Sequence, residues 1–332
     1  MSDKGGFAAL DRLPRVSLGL HPTPLHPLER LRDQFGGPAK APRLLIKRDD
    51  LNGTALGGNK LRKLEYLVAD AQARGCDTLI TAGATQSNHC RQTAAVGAMV
   101  GLEVHLCLRG PEPPHRTGNL VLDDWLGARL HFAAPGADVS ALMAPLADDL
   151  RARGRRPYLI PIGGSNPVGA AGYVAAAREL LAQCPDATHL IVATGSGGTQ
   201  AGLEVGARLS GRTVRVNGVG VAEPDTVSWN VDVANLANAT AERLGRSDLR
   251  LTPGDVECPM DWMGPHYAAP TEACEDALRR LARTEGIFVD PVYSGKALAA
   301  LLDWLRAGRF TPSDTVVFWH TGGTPALFAE GH

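Results

Sequence analysis

From Asn59 to Arg74, apolar residues recur with the period of a helix. Leu61, Leu64, Leu67, Val68 and Ala71 share one stripe, and Lys60 falls inside it, spaced i, i+4, i+7 and i+11 with Leu64, Leu67 and Ala71. The pattern predicts a helix that opens after the pair Gly57-Gly58 with a lysine facing inward. Arg62 and Lys63 fall on the opposite face and at the stripe edge, where their charged heads are expected to stay in water. Elsewhere, short β-rich runs alternate with helical ones. Strands are expected at 43–50, 77–83, 103–109, 128–132, 157–162, 189–194, 213–221 and 315–320, with helices near 91–100, 119–126 and 138–153 and an Ala-rich helix after the glycines at 163–164. Repeated βα units with short connections predict an α/β fold of mainly parallel sheet flanked by helices. The Pro-rich run 20–31 reads as an extended arm leading into a short helix, because each proline restricts itself and the residue before it. The stretch from Glu223 to Tyr267 reads as less regular.

Composition narrows the class. With 332 residues, 44% hydrophobic content and a net charge of -1, the chain is long enough for one large or two moderate domains with real cores. The balance of 34 basic and 35 acidic residues, without a long single-sign block, argues against a nucleic-acid or anionic-membrane partner. No apolar run approaches the length of a membrane span and the N-terminus lacks a signal-peptide core, so a cytoplasmic protein is expected. Six cysteines without Cys-x-x-Cys spacing read as buried thiols, and the ten histidines show no ligand spacing, so no metal site is expected.

Chemistry enters at four polar clusters. An inward Lys60 can snorkel, pair with a carboxylate, or act as an amine nucleophile that forms a Schiff base. The run Thr194-Gly195-Ser196-Gly197-Gly198-Thr199 joins a strand to a helix and offers N–H groups, hydroxyls and a positive helix end to a phosphate. It lacks the Gly-Lys-Ser/Thr ending of a P-loop, and Gln200 stands where a dinucleotide fingerprint needs glycine. A tight strand-to-helix turn in an α/β fold is the alternative. Ser87, Asn88 and His89 follow a strand and precede a helix, which places them where open α/β sheets bind ligands; helix capping explains Ser87 as well. Tyr293 and Ser294 open another helix, and Thr321 follows the last strand. A Schiff-base lysine combined with a phosphate cradle that has no nucleotide fingerprint points to pyridoxal 5′-phosphate as cofactor.

Lys-Arg-Asp-Asp (47–50), Gly-Gly-Asn-Lys-Leu-Arg-Lys-Leu-Glu-Tyr (57–66), Gln-Ser-Asn-His (86–89), Thr-Gly-Ser-Gly-Gly-Thr-Gln-Ala-Gly (194–202), Asp-Pro-Val-Tyr-Ser-Gly-Lys-Ala (290–297) and His-Thr-Gly-Gly-Thr-Pro (320–325) resemble the 1-aminocyclopropane-1-carboxylate (ACC) deaminase/D-cysteine desulfhydrase family. The resemblance spans nearly the whole chain. It implies the tryptophan-synthase-β-like fold (PLP fold type II), a homodimer, a large cofactor-binding domain of residues 1–62 and 172–332, and a small inserted α/β domain of 63–171. It implies that Lys60 is the Schiff-base lysine, Asn88 the partner of the ring hydroxyl, and Gly195 to Thr199 the phosphate loop. Thr194, Ser294 and Thr321 join the cofactor side, and Ser87, Asn88, His89, Tyr267 and Tyr293 the side of a small amino-acid substrate.

ACC deaminases carry a glutamate after the tyrosine that matches Tyr293, whereas this chain has Ser294. A neutral hydroxyl beside the pyridine nitrogen makes a weaker electron sink, adequate for expelling a thiolate and poorer for opening a carbon ring. His89, where ACC deaminases have glutamine, tilts the same way. The activity implied is β-elimination from a small amino acid such as D-cysteine, giving pyruvate, ammonia and sulfide. ACC deaminase, cysteate sulfo-lyase and a catalytically silent cofactor-binding protein are the alternatives. His266 and Ala268 depart from the glycines that usually flank the tyrosine matching Tyr267.

Overall fold

A computed structural model of the chain describes residues 7–222 and 228–329. In chain order its strands are β1 (Leu25–Pro27), β2 (Arg43–Arg48), β3 (Thr78–Ala84), β4 (Glu103–Arg109), β5 (Arg129–Phe132), β6 (Pro157–Leu159), β7 (His189–Thr194), β8 (Arg215–Gly220) and β9 (Thr315–His320). Its helices are α1 (Glu29–Asp33), α2 (Lys60–Ala73), α3 (Asn88–Val100), α4 (Gly118–Trp125), α5 (Met143–Ala152), α6 (Pro167–Gln183), α7 (Gly198–Leu209), α8 (Trp229–Arg243), α9 (Glu272–Glu285) and α10 (Ser294–Arg306). The strands form two sheets, ordered β1-β2-β9-β7-β8 and β5-β4-β3-β6. Among the described residues, only the β1–β2 strand pairing is antiparallel. The expected α/β class with mainly parallel sheet therefore holds, and buried runs such as Leu190-Ile191-Val192 and Val316-Val317-Phe318 show sheet covered on both faces.

Two expectations are corrected. Within the stretch read as irregular, α8 runs for 15 residues, capped by Ser228 accepting from the Val231 N–H; residues 223–227 of that stretch lie outside the described residues. Its buried face, Val233, Ala234, Ala237 and Ala241, packs with Ala201 and Val205 of α7, and small alanines make that stripe faint in a hydrophobicity pattern. The second correction concerns α2. Arg62 and Lys63 are not in water: both are buried, at 2% and 1% exposure. The helix lies under α6, α3 and the N-terminal arm, and Leu61 to Ala69 are all buried, so its polar face meets protein. At Gly172 of α6 an added Cβ would come within 2.0 Å of the Arg62 carbonyl oxygen, a backbone approach that only glycine allows.

Arg62 is held by a buried ionic network. Its guanidinium donates from Nε to both oxygens of Asp49 at 3.0 Å and reaches Glu179 of α6 at 2.9 and 3.0 Å. Asp49 also accepts from Tyr173 Oη at 2.6 Å and Trp319 Nε1 at 2.7 Å, and Lys47 Nζ donates to Glu179 at 2.5 Å. These bonds tie β2, α2, α6 and β9 together two residues from Lys60. The six cysteines are free thiols, five of them buried, as expected. No helix among the described residues is long and apolar enough to cross a membrane.

Candidate active site

Between the two sheets lies a cavity of about 590 Å³. Its walls come from the carboxyl ends of parallel strands, where open α/β sheets leave a crevice for ligands. The Gly57-Gly58 turn and the first residues of α2 deliver Asn59 and Lys60 to it. Lys60 Nζ has no hydrogen-bond or ion-pair partner among the described residues, and burial lowers its pKa to about 8.

Ser87 caps α3 by accepting from the Cys90 N–H at 3.1 Å and also lines the cavity. The cap bond leaves the hydroxyl its own proton to donate to a second partner. Asn119 Nδ2 donates to Asn88 Oδ1 at 2.9 Å, which fixes the Asn88 amide, and no described residue takes its Nδ2 donor. His89 meets Thr81 Oγ1 at 2.8 Å, and Thr81 donates its own proton to the Ile160 carbonyl. The hydrogen-bond network therefore assigns the His89 proton to Nε2 and leaves Nδ1 a buried acceptor without a partner. Burial, reinforced by Lys60 and Lys63, holds the His89 pKa well below its usual value, so the ring is neutral.

On the other wall, β7 ends in Thr194 and the glycine loop turns into α7. Thr194, Gly195, Ser196, Gly197 and Thr199 line the cavity. Gly198 does not; its N–H donates to Ser165 Oγ at 3.1 Å, and Ser165 is itself a lining residue. Asn59 Nδ2 donates to Thr199 Oγ1 at 3.0 Å, joining the lysine turn to the loop. Tyr267 and Tyr293 close one side, their hydroxyl oxygens 2.5 Å apart and their rings edge to face. Burial raises both phenol pKa values, so both stay protonated. Asp290 positions Tyr293 by accepting the N–H groups of Val292, Tyr293 and Ser294. Thr321 lines the cavity, while Ser294 sits behind it, fully buried, with the two hydroxyls 2.8 Å apart.

A family model described as "Pyridoxal-phosphate dependent enzyme" matches residues 16–322. The chain belongs to this family. It is 43% identical to D-cysteine desulfhydrase of Salmonella typhi over 328 residues, 96% of this chain and 97% of the relative. D-cysteine desulfhydrase of Salmonella choleraesuis matches to the same extent. Among solved structures, an ACC deaminase homologue superposes with a TM-score of 0.89 at 35% identity, covering 99% of this chain and 97% of the other. Threonine deaminase isoform 2 of Solanum lycopersicum, at 14% identity and a TM-score of 0.68 over 96% of this chain and 83% of the other, shares the fold.

The cavity fits the family's cofactor. The Lys60 amine, lowered in pKa by burial and without a partner among the described residues, stands near the glycine loop, and Gly163 lies close to both: a Cβ there would be 2.0 Å from Ser196 Oγ and 3.4 Å from Lys60 Nζ. Polar donors converge there with no carboxylate among the described lining residues, as an anionic group requires. Two participants were not anticipated from the sequence. Lys63 Nζ donates to Gly163 O and Ser165 Oγ, each at 3.1 Å, and Ser165 Oγ meets Ser196 Oγ at 2.8 Å. Lys63 thus stands behind the glycine loop, and burial and then Lys60 hold its pKa well below the usual value. Its i, i+3 spacing from Lys60, which makes helix residues neighbours, was the available signal.

Proposed function

We propose that this chain is a carbon–sulfur lyase that converts D-cysteine and water to pyruvate, ammonia and hydrogen sulfide. The observation that carries the reading is the unpaired Lys60 amine, facing a cavity that also holds the glycine loop and the tyrosine pair. The identity to D-cysteine desulfhydrases over nearly the full chain supports the choice of substrate. Pyridoxal 5′-phosphate, when bound, supplies an electron sink that stabilises the charge left at Cα after proton loss.

The remaining work falls to the chain's own residues. Gly195, Ser196, Gly197 and Thr199, backed by Lys63, hold the phosphate, and Asn88 Nδ2 offers a donor to the ring oxygen. The Ser87 hydroxyl and the N-terminus of α3 receive the substrate carboxylate. Lys60, with its lowered pKa, takes the α-proton, which efficient general-base catalysis near neutral pH requires. Tyr293 and Tyr267 form a protonated pair, and the outer hydroxyl protonates the departing thiolate while the inner one keeps it aligned. Thr321, with Ser294 behind it, presents a hydroxyl to the pyridine nitrogen. A hydroxyl there gives a weaker sink than a carboxylate, matching loss of a good leaving group better than ring opening. The family resemblance supports a homodimer of two domains bounded at 62–63 and 171–172, and the six free thiols suit a reducing cytoplasm.

The test is product analysis. The holoenzyme is given D-cysteine, L-cysteine and ACC, and sulfide, pyruvate and α-ketobutyrate are measured. Sulfide and pyruvate in equal amounts from D-cysteine are expected; α-ketobutyrate from ACC without sulfide from D-cysteine would replace this reading by the deaminase one.

A pH dependence follows from Lys60. The amine is a nucleophile only when deprotonated, and burial lowers its pKa to about 8. Uptake of pyridoxal 5′-phosphate by the apoprotein, followed by stopped-flow absorbance, is therefore expected to accelerate from pH 6.5 to 9 with an inflection near 8. An unperturbed lysine would instead give an inflection above pH 10.

A further inference from the structure

Among the described residues, Arg109 is the one side chain of the cavity wall whose charge the reaction above leaves unused. It ends β4, in register with Ala84 of β3, the residue that begins the loop to Ser87 and Asn88. It lines the cavity yet is exposed, so it stands at the mouth, whereas Ser87 and Asn88 are buried deeper. Most arginines of this protein stand beside a carboxylate, as Arg116 does with Glu112 and Asp124. Arg109 has neither an ion pair nor a hydrogen bond among the described residues, and no aspartate or glutamate among them lines the cavity. Its field nevertheless reaches inward, since it works against the rise of the Tyr267 pKa, which burial drives.

The α-carboxylate and the phosphate already have receivers at Ser87 with α3 and at the glycine loop with Lys63. A guanidinium fork left over at the mouth, on the tyrosine side where the β-substituent departs, matches a second anion on the substrate. We propose that Arg109 is a specificity-determining residue that recognises a carboxylate or sulfonate at the far end of the β-substituent, so that anionic S-substituted cysteines form a substrate class of this site. The inference rests on the β-elimination reading and names the substituent that the site prefers beyond the bare thiol.

The reaction balances as for cysteine. The Cα–H and Cβ–S bonds break, the thiolate leaves with the bonding pair and is protonated, and water converts the remainder to pyruvate and ammonia. The holoenzyme is given S-carboxymethylcysteine and S-carbamoylmethylcysteine in both enantiomers, two thioethers alike in shape that differ by one negative charge, and pyruvate is measured. The preference in kcat/KM for the acid over the amide is expected to fall roughly tenfold in Arg109→Gln, the worth of one charge-assisted hydrogen bond. The loss should sit in KM, and 0.5 M salt should weaken the parent's preference. A preference that stays within twofold in Arg109→Gln overturns the proposal, including the case in which both substrates suffer equally because Arg109 holds the α-carboxylate.

A calorimetric arm separates this outcome from failure of the lyase reading. 3-(Carboxymethylthio)propanoate lacks the amine and cannot react, so its binding relative to the corresponding amide reports Arg109 alone. The parent should bind the dianion roughly tenfold more tightly and Arg109→Gln should not; equal affinities in the parent overturn the proposal even if D-cysteine is turned over. No pyruvate from either thioether or from D-cysteine, with the dianion still preferred, overturns the lyase reading and leaves the anion site standing.

Discussion

Holoenzyme with Lys60→Ala is expected to turn over D-cysteine on the order of 10⁴-fold more slowly than the parent, because one residue supplies both the covalent anchor of the cofactor and the base for the α-proton. Lys60 is the cavity amine without a partner among the described residues, and burial places its pKa near 8. Lys63 lies one turn away, but its amine is held by Gly163 O and Ser165 Oγ and it is not among the described residues that line the cavity. Two measurements distinguish a chemical role from a structural one. Borohydride reduction followed by peptide mass analysis should fix the cofactor on the Lys60 peptide in the parent and in Lys63→Ala, and nowhere in Lys60→Ala. A primary amine added in solution should recover part of the lost rate. A Lys60→Ala enzyme within tenfold of the parent would show that another group carries the proton transfer.

The second large effect is on stability. Arg62→Met is expected to destabilise the fold by about 3–5 kcal/mol, the usual result of removing one partner from a buried ionic cluster. Methionine keeps most of the volume, so the loss reports the uncompensated charge of Asp49 and Glu179 rather than a cavity. Both carboxylates sit at about 2 in the folded protein: burial pushes each up, and Arg62, aided by Lys47 at Glu179, outweighs it. Their folded pKa values lie below the unfolded range of about 4, so the stability they contribute is complete above that value. It is lost as pH falls through about 2. Urea midpoints at pH 7 and acid unfolding followed by circular dichroism test both parts. The variant should unfold at lower urea and at higher pH than the parent, and coincident curves would show that the network adds nothing net. Because Arg62 lies two residues from Lys60 on the same helix, kcat should fall with stability even where the variant is fully folded.

Much of the site was legible in order along the chain. Asn59 and Lys60 after a glycine pair, the loop from Gly195 to Thr199, and Asp290 to Tyr293 are local signals: the backbone they need is set by residues next to one another, through turn glycines, caps and helix period. Arg62 and Lys63 show where such reading stops. Helical period tells which residues share a face, and a face counts as exposed only if nothing covers it. From Leu61 to Ala69 every face of α2 is covered, so the charged positions read as surface turned out to hold an ionic network and a brace behind the glycine loop. The alanine stripe of α8 was missed for the complementary reason: its burial lies in close helix packing rather than in large side chains.

By itself, the sequence determined the α/β alternation and the family, and it singled out Lys60 and the 194–199 loop, which the structure brings to one cavity, because each depends on contacts short in sequence. Only the tertiary structure decided that Thr321 rather than Ser294 faces the cavity, that Lys63 stands behind the loop, that the two tyrosine hydroxyls meet at 2.5 Å, and that Arg109 waits at the mouth. These are juxtapositions of strand ends from two sheets, and no spacing along one chain encodes the distance between residues that separate βα units bring together.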